Sequence, residues 1–297
     1  EDNAMAMLPA PRQRISARVT DVGGIGVSRA LPVRERRLIG AWCFLDHAGP
    51  AVFERGQEGM HVGPHPHVGL QTFTWMLDGE VLHRDSLGYR QIIRPGQVNL
   101  MTAGRGIAHS EDTAPGHTRL HAAQLWIALP DAARNMPPRF DHYPELPQWQ
   151  KDTIDFTLLV GDAGGHSAPT LHFSPLLGID MRASSEATTI LPLRPDFEYG
   201  AFVLEGEAAA DDESLALNEL LYLGDGLESV RLTLKKGARI LLLGGAKLSE
   251  PVMMWWNFVG RSKAELQAFV SAWNSGDPRF GRVVDDERAP TRSPVMP

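Results

Sequence analysis

Two short segments of this 297-residue chain carry side chains that could do chemistry together. In "HVGPHPHVGLQ", from His61 to Gln71, three of the chain's eleven histidines fall within seven positions. His65 and His67 stand two apart. On an extended strand residues two apart project from one face, about 7 Å from each other, so both imidazoles can reach a single metal ion. An isolated H-x-H also occurs in polar turns, where the histidines do no more than accept and donate hydrogen bonds. A second pair separates the cases: in "MTAGRGIAHSED" His109 and Glu111 again stand two apart. The 41 residues between His67 and His109 leave room for two or three strands, so the pairs can face each other across a small β barrel. Three neutral imidazoles and a carboxylate form a nitrogen–oxygen donor set suited to Fe(II), and also to Mn, Ni, Co, Cu or Zn. Four protein donors leave positions open on an octahedral ion for a small-molecule substrate or O2. Glu111 has two roles open to it, ligand or general base.

The surrounding pattern says which residues share the site. If the first segment runs on as one strand, Gln71 and Phe73 follow His65 and His67 on the lumen face, with Thr72, Thr74 and Met76 on the other. In "AAQLWIAL" Gln124 and Trp126 alternate and form a second candidate wall. His61 reads as a surface or supporting histidine, not a ligand. "DVGGIG" reads as turn glycines, since no strand–turn–helix context makes it a nucleotide loop.

The elements that must hold these residues are strands. Twenty-nine glycines and 22 prolines are spread along the chain. Between them lie short runs rich in β-branched and aromatic residues, such as "QTFTWML", "RQIIR", "GAFVLEG" and "VRLTL", the signature of an all-β sandwich or barrel. "LDGE" at Leu77–Glu80 has the Asp-Gly signal of a hairpin turn, and "LEGE" at Leu204–Glu207 looks like the same device 127 positions later. At that offset Pro192 and Arg194 stand where the first unit has His65 and His67, so the second unit is expected to bind no metal. The expected organisation is residues 1–140 as a metal-binding barrel, 141–285 as a second barrel, and 286–297 as a mobile tail. "PDAARNMPPRFDHYPELPQW" connects the two barrels. The second unit includes a helix over 262–274, begun by the capping box Ser262 and Glu265 and striped by Leu266, Phe269, Val270 and Trp273.

Composition excludes several classes. A net charge of −7 without any long basic run disfavours direct nucleic-acid binding. The longest apolar runs, such as "RILLLGG", are too short to span a bilayer, so no membrane association is expected. The opening "EDNAMAM" lacks the apolar stretch of a signal peptide, and Cys43 is the lone cysteine, so no intrachain disulfide forms. The expected location is cytoplasmic.

Together "GPHPHVGLQT", "VLHRDSLG", "RPGQVNLMTAGRGIAHSE" and "QLWIALP" resemble the pirin family. "DVGGIGVSRALP", "FLDHAGP" and "EPVMMWWNFV" extend the resemblance over nearly the whole chain. It implies a bicupin, two tandem jelly-roll β barrels with iron in the first. The family's ligands fall on His65, His67, His109 and Glu111. Many cupins carry a glutamate four residues after the second histidine; Gln71 stands there, a poor ligand, in keeping with Glu111 as the carboxylate donor. His83 recurs in the family motif and reads either as a residue near the cavity mouth or as an ordinary hairpin histidine. The resemblance also implies an activity, a metal-dependent dioxygenase of quercetin 2,3-dioxygenase type. The alternative it carries is an iron- or redox-sensing accessory protein that binds a transcription factor or metabolic enzyme without turnover.

Overall fold

The computed structural model describes residues 11–54 and 56–297; the opening "EDNAMAM" lies outside them. Two barrels stand in tandem, each a seven-stranded antiparallel sheet closed by a four-stranded one. The all-β class and the bicupin plan expected from the sequence are what the chain adopts. In the first barrel the four-stranded sheet runs in the order His61–His67, Ile107–Thr113, Val81–Asp85, Arg90–Ile93. Strands Leu70–Gly79 and Arg119–Ala128 lie at the middle of the facing seven-stranded sheet.

The "LDGE" segment closes no hairpin. Strand Leu70–Gly79 belongs to one sheet and Val81–Asp85 to the other, so the chain turns a barrel corner at Gly79. That corner needs glycine: φ is +81°, and a Cβ there would sit 1.9 Å from the Arg119 carbonyl oxygen. "LEGE" makes the matching corner in the second barrel, with Gly206 at φ +70°.

The two seven-stranded sheets face each other, and the space between them is a core in its own right. Trp42, Phe73, Trp75 and Leu125 from the first barrel pack there with Leu159, Phe202 and Leu241 from the second. Trp75 donates its indole N–H to Asp180 across this interface, at 2.9 Å.

The chain's two ends cross over, contrary to the division at residue 140. Strand Gln13–Ser16 pairs with Glu219–Gly224, in the second barrel. Helix Lys263–Asn274 is capped by Ser262, whose hydroxyl accepts from the Glu265 amide. Its buried stripe of Leu266, Phe269 and Val270 packs with Val68 and Ala108 of the first barrel instead of the second. The last residues, expected as a mobile tail, are held down as well. Arg288 donates to both carboxylate oxygens of Asp112 at 2.8 Å, and the Thr291 amide donates to the Pro64 carbonyl at 2.8 Å. Arg288 and Thr291 thus pin the tail to the first barrel. No helix among the described residues is long and apolar enough to cross a membrane.

Candidate metal centre and its cavity

Register brings the histidines together. His61–His67 and Ile107–Thr113 are antiparallel neighbours that set His109 directly opposite His65 and Ile107 opposite His67. The two pairs therefore sit side by side on one sheet, not across the lumen from each other. The ring centroids of His65, His67 and His109 lie 4.4–5.2 Å apart, and one nitrogen of each falls within 4.8 Å of the others. A bulge shifts the register between His109 and Glu111, pairing Glu111 with Val62.

Hydrogen bonds leave the matching nitrogens free. His65 Nδ1 lies 2.8 Å from the Gly63 carbonyl and His67 Nδ1 lies 3.1 Å from the Asn257 carbonyl. A carbonyl only accepts, so each Nδ1 carries the proton and each Nε2 presents its lone pair. His109 Nε2 is buried and meets no partner at all. An orphaned imidazole nitrogen beside two others of the same tautomer is what a metal ion would satisfy. Burial drives the basicity of all three down, to about 4 for His65, with repulsion among the rings adding to it. They stay neutral and able to coordinate near pH 7.

Glu111 lines the same cavity. It groups with His109 and His83 rather than with the other two histidines, its carboxylate 4.0 Å from His109 Nδ1. Burial and the neighbouring Asp112 charge push its pKa up to about 7. Asp112 points the other way, toward His61, Arg84 and Arg288; His61 is thus a surface partner of that carboxylate.

His83 is not at a cavity mouth. It is buried behind His109, stacked on Phe140 with centroids 4.2 Å apart. Its Nε2–H donates to Asp85 at 2.7 Å, and its Nδ1 faces His109 Nδ1 at 3.4 Å. That chain directs the proton of His109 to Nδ1 and leaves Nε2 to the cavity.

The cavity, about 510 Å³, opens from the histidines into the barrel lumen. Gln124 and Trp126 line it as their alternation implied, but Gln71 and Phe73 do not. Gly69, at φ +76° with the Val259 carbonyl where a Cβ would be, breaks the strand after His67. The break reverses the face, so Thr72, Thr74 and Met76 point inward. Gln71 instead donates to Thr102 Oγ1 and the Leu171 carbonyl, and Phe73 stands edge-on to Trp42 between the barrels. Thr74 donates to Gln124 at 2.7 Å. Trp126 stacks on Phe44 with centroids 4.0 Å apart, and the Arg29 guanidinium lies 4.7 Å from the Phe44 ring centroid while paired to Asp46. Among the lining residues that the sequence pattern missed, Trp256, Asn257 and Thr291 come from the C-terminal crossover, and others such as Arg29, Phe44 and Met60 from the segments before His61. No local spacing in "EPVMMWWNFV" points to a cavity some 190 residues upstream.

A hollow first barrel with a three-histidine cluster, backed by a filled second one, defines a bicupin with a candidate metal centre. The family model for pirin matches residues 24–127 and that for the pirin C-terminal cupin domain matches 178–281. The chain belongs to the pirin family, as the motifs implied. It is 56% identical over 286 residues to a Pseudomonas aeruginosa protein provisionally named a quercetin 2,3-dioxygenase, covering 96% of this chain and 90% of that one. A pirin-like protein of Caulobacter vibrioides is 34% identical, covering 88% and 92%. A crystal structure titled quercetin 2,3-dioxygenase from Acinetobacter baumannii superposes with a TM-score of 0.93 at 48% identity, covering 96% of each chain.

Proposed function

We propose that this protein is a metal-dependent dioxygenase of the quercetin 2,3-dioxygenase type. It opens a flavonol, or a similar enolic or phenolic molecule, with O2 and releases carbon monoxide, with Fe(II) as the preferred ion. The observation that carries the reading is the convergence of His65, His67 and His109, each with a nitrogen within 4.8 Å of the others and with His109 Nε2 buried without a partner, on a largely apolar cavity. The names of the relatives at 56% and 48% identity agree with it.

His65, His67 and His109 would hold the ion, with Glu111 as fourth donor. A bound ion would supply Lewis acidity toward the substrate's hydroxyl and toward dioxygen. The Gly63 and Asn257 carbonyls keep two of the imidazoles from turning. Glu111, if not a ligand, would take the hydroxyl proton, a role its raised pKa of about 7 suits near neutral pH. The aromatic and aliphatic walls exclude water. A volume of about 510 Å³ falls in the range of about 300–1,000 Å³ that holds small organic ligands. That room favours turnover over the accessory role, which needs no substrate space.

The test is O2 uptake with quercetin on protein loaded anaerobically with Fe(II) and checked for one ion per chain. Uptake equal to quercetin loss, absent in His65→Ala, supports the reading. Fully loaded protein that takes up none sinks it for flavonols.

A further inference from the structure

The tight turn between strands Met253–Trp255 and Phe258–Gly260 consists of Trp256 and Asn257. Trp256 holds φ at +50°, a region bulky side chains avoid and glycine or asparagine enters freely. Two contacts clamp the turn in place. Its far strand bridges Val68 through Phe258, and the Val259 amide donates to the Val68 carbonyl at 3.0 Å. Strain kept at such a position argues for a use of the side chain. The Trp256 indole is half-buried and lines the cavity that holds the histidines, edge-on to Phe258 at 5.6 Å. The next residue's carbonyl accepts from His67. One turn therefore fixes a candidate ligand and hangs an indole beside it, while the Phe44–Trp126 stack supplies another aromatic wall.

We infer that Trp256 is a specificity-determining residue, an aromatic platform at the cavity's edge that selects planar, multi-ring substrates over compact ones with the same chelating group. This rests on the reading of the cavity as a substrate site. An indole face stacks on extended π systems and gives a small single-ring enol little to lie on. The positive φ is a backbone cost that glycine would avoid, so the contacts of the indole, against the Phe258 cluster and in the cavity, must offset it.

The test uses two probes bearing the same 3-hydroxy-4-keto head, 3-hydroxyflavone with its extra rings and maltol without them. Equilibrium titrations are made anaerobically on the full chain loaded with Fe(II), in wild type, Trp256→Gly, Trp256→Ala and Trp256→Phe. Loss of the indole should weaken 3-hydroxyflavone about tenfold in the Gly and Ala variants. Maltol should stay within about twofold, and the Phe variant should keep most of the affinity. Melting temperatures add an independent reading: Trp256→Gly should melt above Trp256→Ala, the reverse of the usual order, because only glycine relieves the positive φ. Equal weakening of both probes would mean that the turn acts by holding His67, and unchanged 3-hydroxyflavone affinity would mean no platform; either overturns the inference and leaves the cavity's assignment standing. Loaded wild type that binds neither probe overturns that assignment, and the inference with it.

Discussion

The two barrels of this chain share a frame and differ in what fills it. Each pairs a seven-stranded with a four-stranded sheet, and each turns its corner on a left-handed glycine, Gly79 and Gly206, 127 positions apart. In the second barrel Phe156, Met181, Tyr199, Val203, Leu232 and Leu242 meet in the middle and close the lumen. In the first, Thr72, Thr74, Gln124 and the histidines line an open one. At the positions matching His65 and His67, Pro192 ends a strand and Arg194 lies exposed, paired with Asp196 over Phe197. The clusters that could hold a metal among the described residues all sit in the first barrel. One barrel is built as a core, the other as a container, and the filled one supplies a rigid face for the hollow one to pack on.

The sharpest way to break that contrast is to remove a donor. His109→Ala deletes the imidazole whose Nε2 has no partner, so metal content measured after loading should fall from one ion per chain to near zero. The circular dichroism spectrum should remain that of the folded apo protein, since the one hydrogen bond given up is the long contact to His83. A variant that still binds a full equivalent would return the cluster to the status of a packed polar patch.

The next effect falls on the other barrel. Phe156 is about 1% exposed and stacks on Trp149 at 5.2 Å. Phe156→Ala opens a void in a closed lumen and should cost about 3–5 kcal/mol by denaturant unfolding. Metal content per folded chain should stay unchanged. Coupled loss of both would show that the barrels do not divide stability and chemistry as described.

What the sequence revealed of this contrast depended on how local the determinant was. The grouping of His65 with His67 was legible because strand periodicity places them together, whereas the bulge between His109 and Glu111, which leaves Glu111 with His83 and His109, was not. Gln124 and Trp126 were legible for the same reason. Gln71 and Phe73 were misplaced because one residue, Gly69, steps the alternation by one; a V-G pair does not announce a face reversal when the Val259 carbonyl that forces it lies 190 residues away. The sheet shared by the two pairs was likewise hidden, since 41 intervening residues fit either arrangement. Trp256 and Thr291 reach the cavity through the crossover of the chain's end, which no periodicity encodes.

The smallest predicted effect tests the seam between the barrels. His47 Nε2 and His121 Nε2 lie 2.7 Å apart, so one ring donates its N–H to the other's lone pair. His47 also reaches Asn218 of the second barrel at 2.6 Å, and His121 Nδ1 stands 3.6 Å from Glu205. Asp78 and Arg239 are the other charges that face His121. Burial lowers its pKa to about 4, helped by His47 and Arg239 and opposed by Asp78. Burial lowers that of His47 too, against its bond to Asn218. A histidine whose folded pKa lies below its unfolded value of about 6.5 favours the native state above that pH. The contribution is therefore whole above about pH 6.5 and declines as the pH falls toward about 4, where a second proton can no longer be kept out of the pair. Unfolding followed from pH 7.5 to 4.5 should show stability falling with pH in wild type, and falling less in His121→Gln, which cannot take up the proton. The candidate metal centre is not part of this linkage, so apo protein should show the same difference in slope. Parallel slopes for the two proteins would mean that the histidine pair carries no pH dependence, and that the seam rests on contacts that do not titrate in this range, the apolar faces of Phe73, Trp75, Phe202 and Leu241 and the Trp75–Asp180 bond.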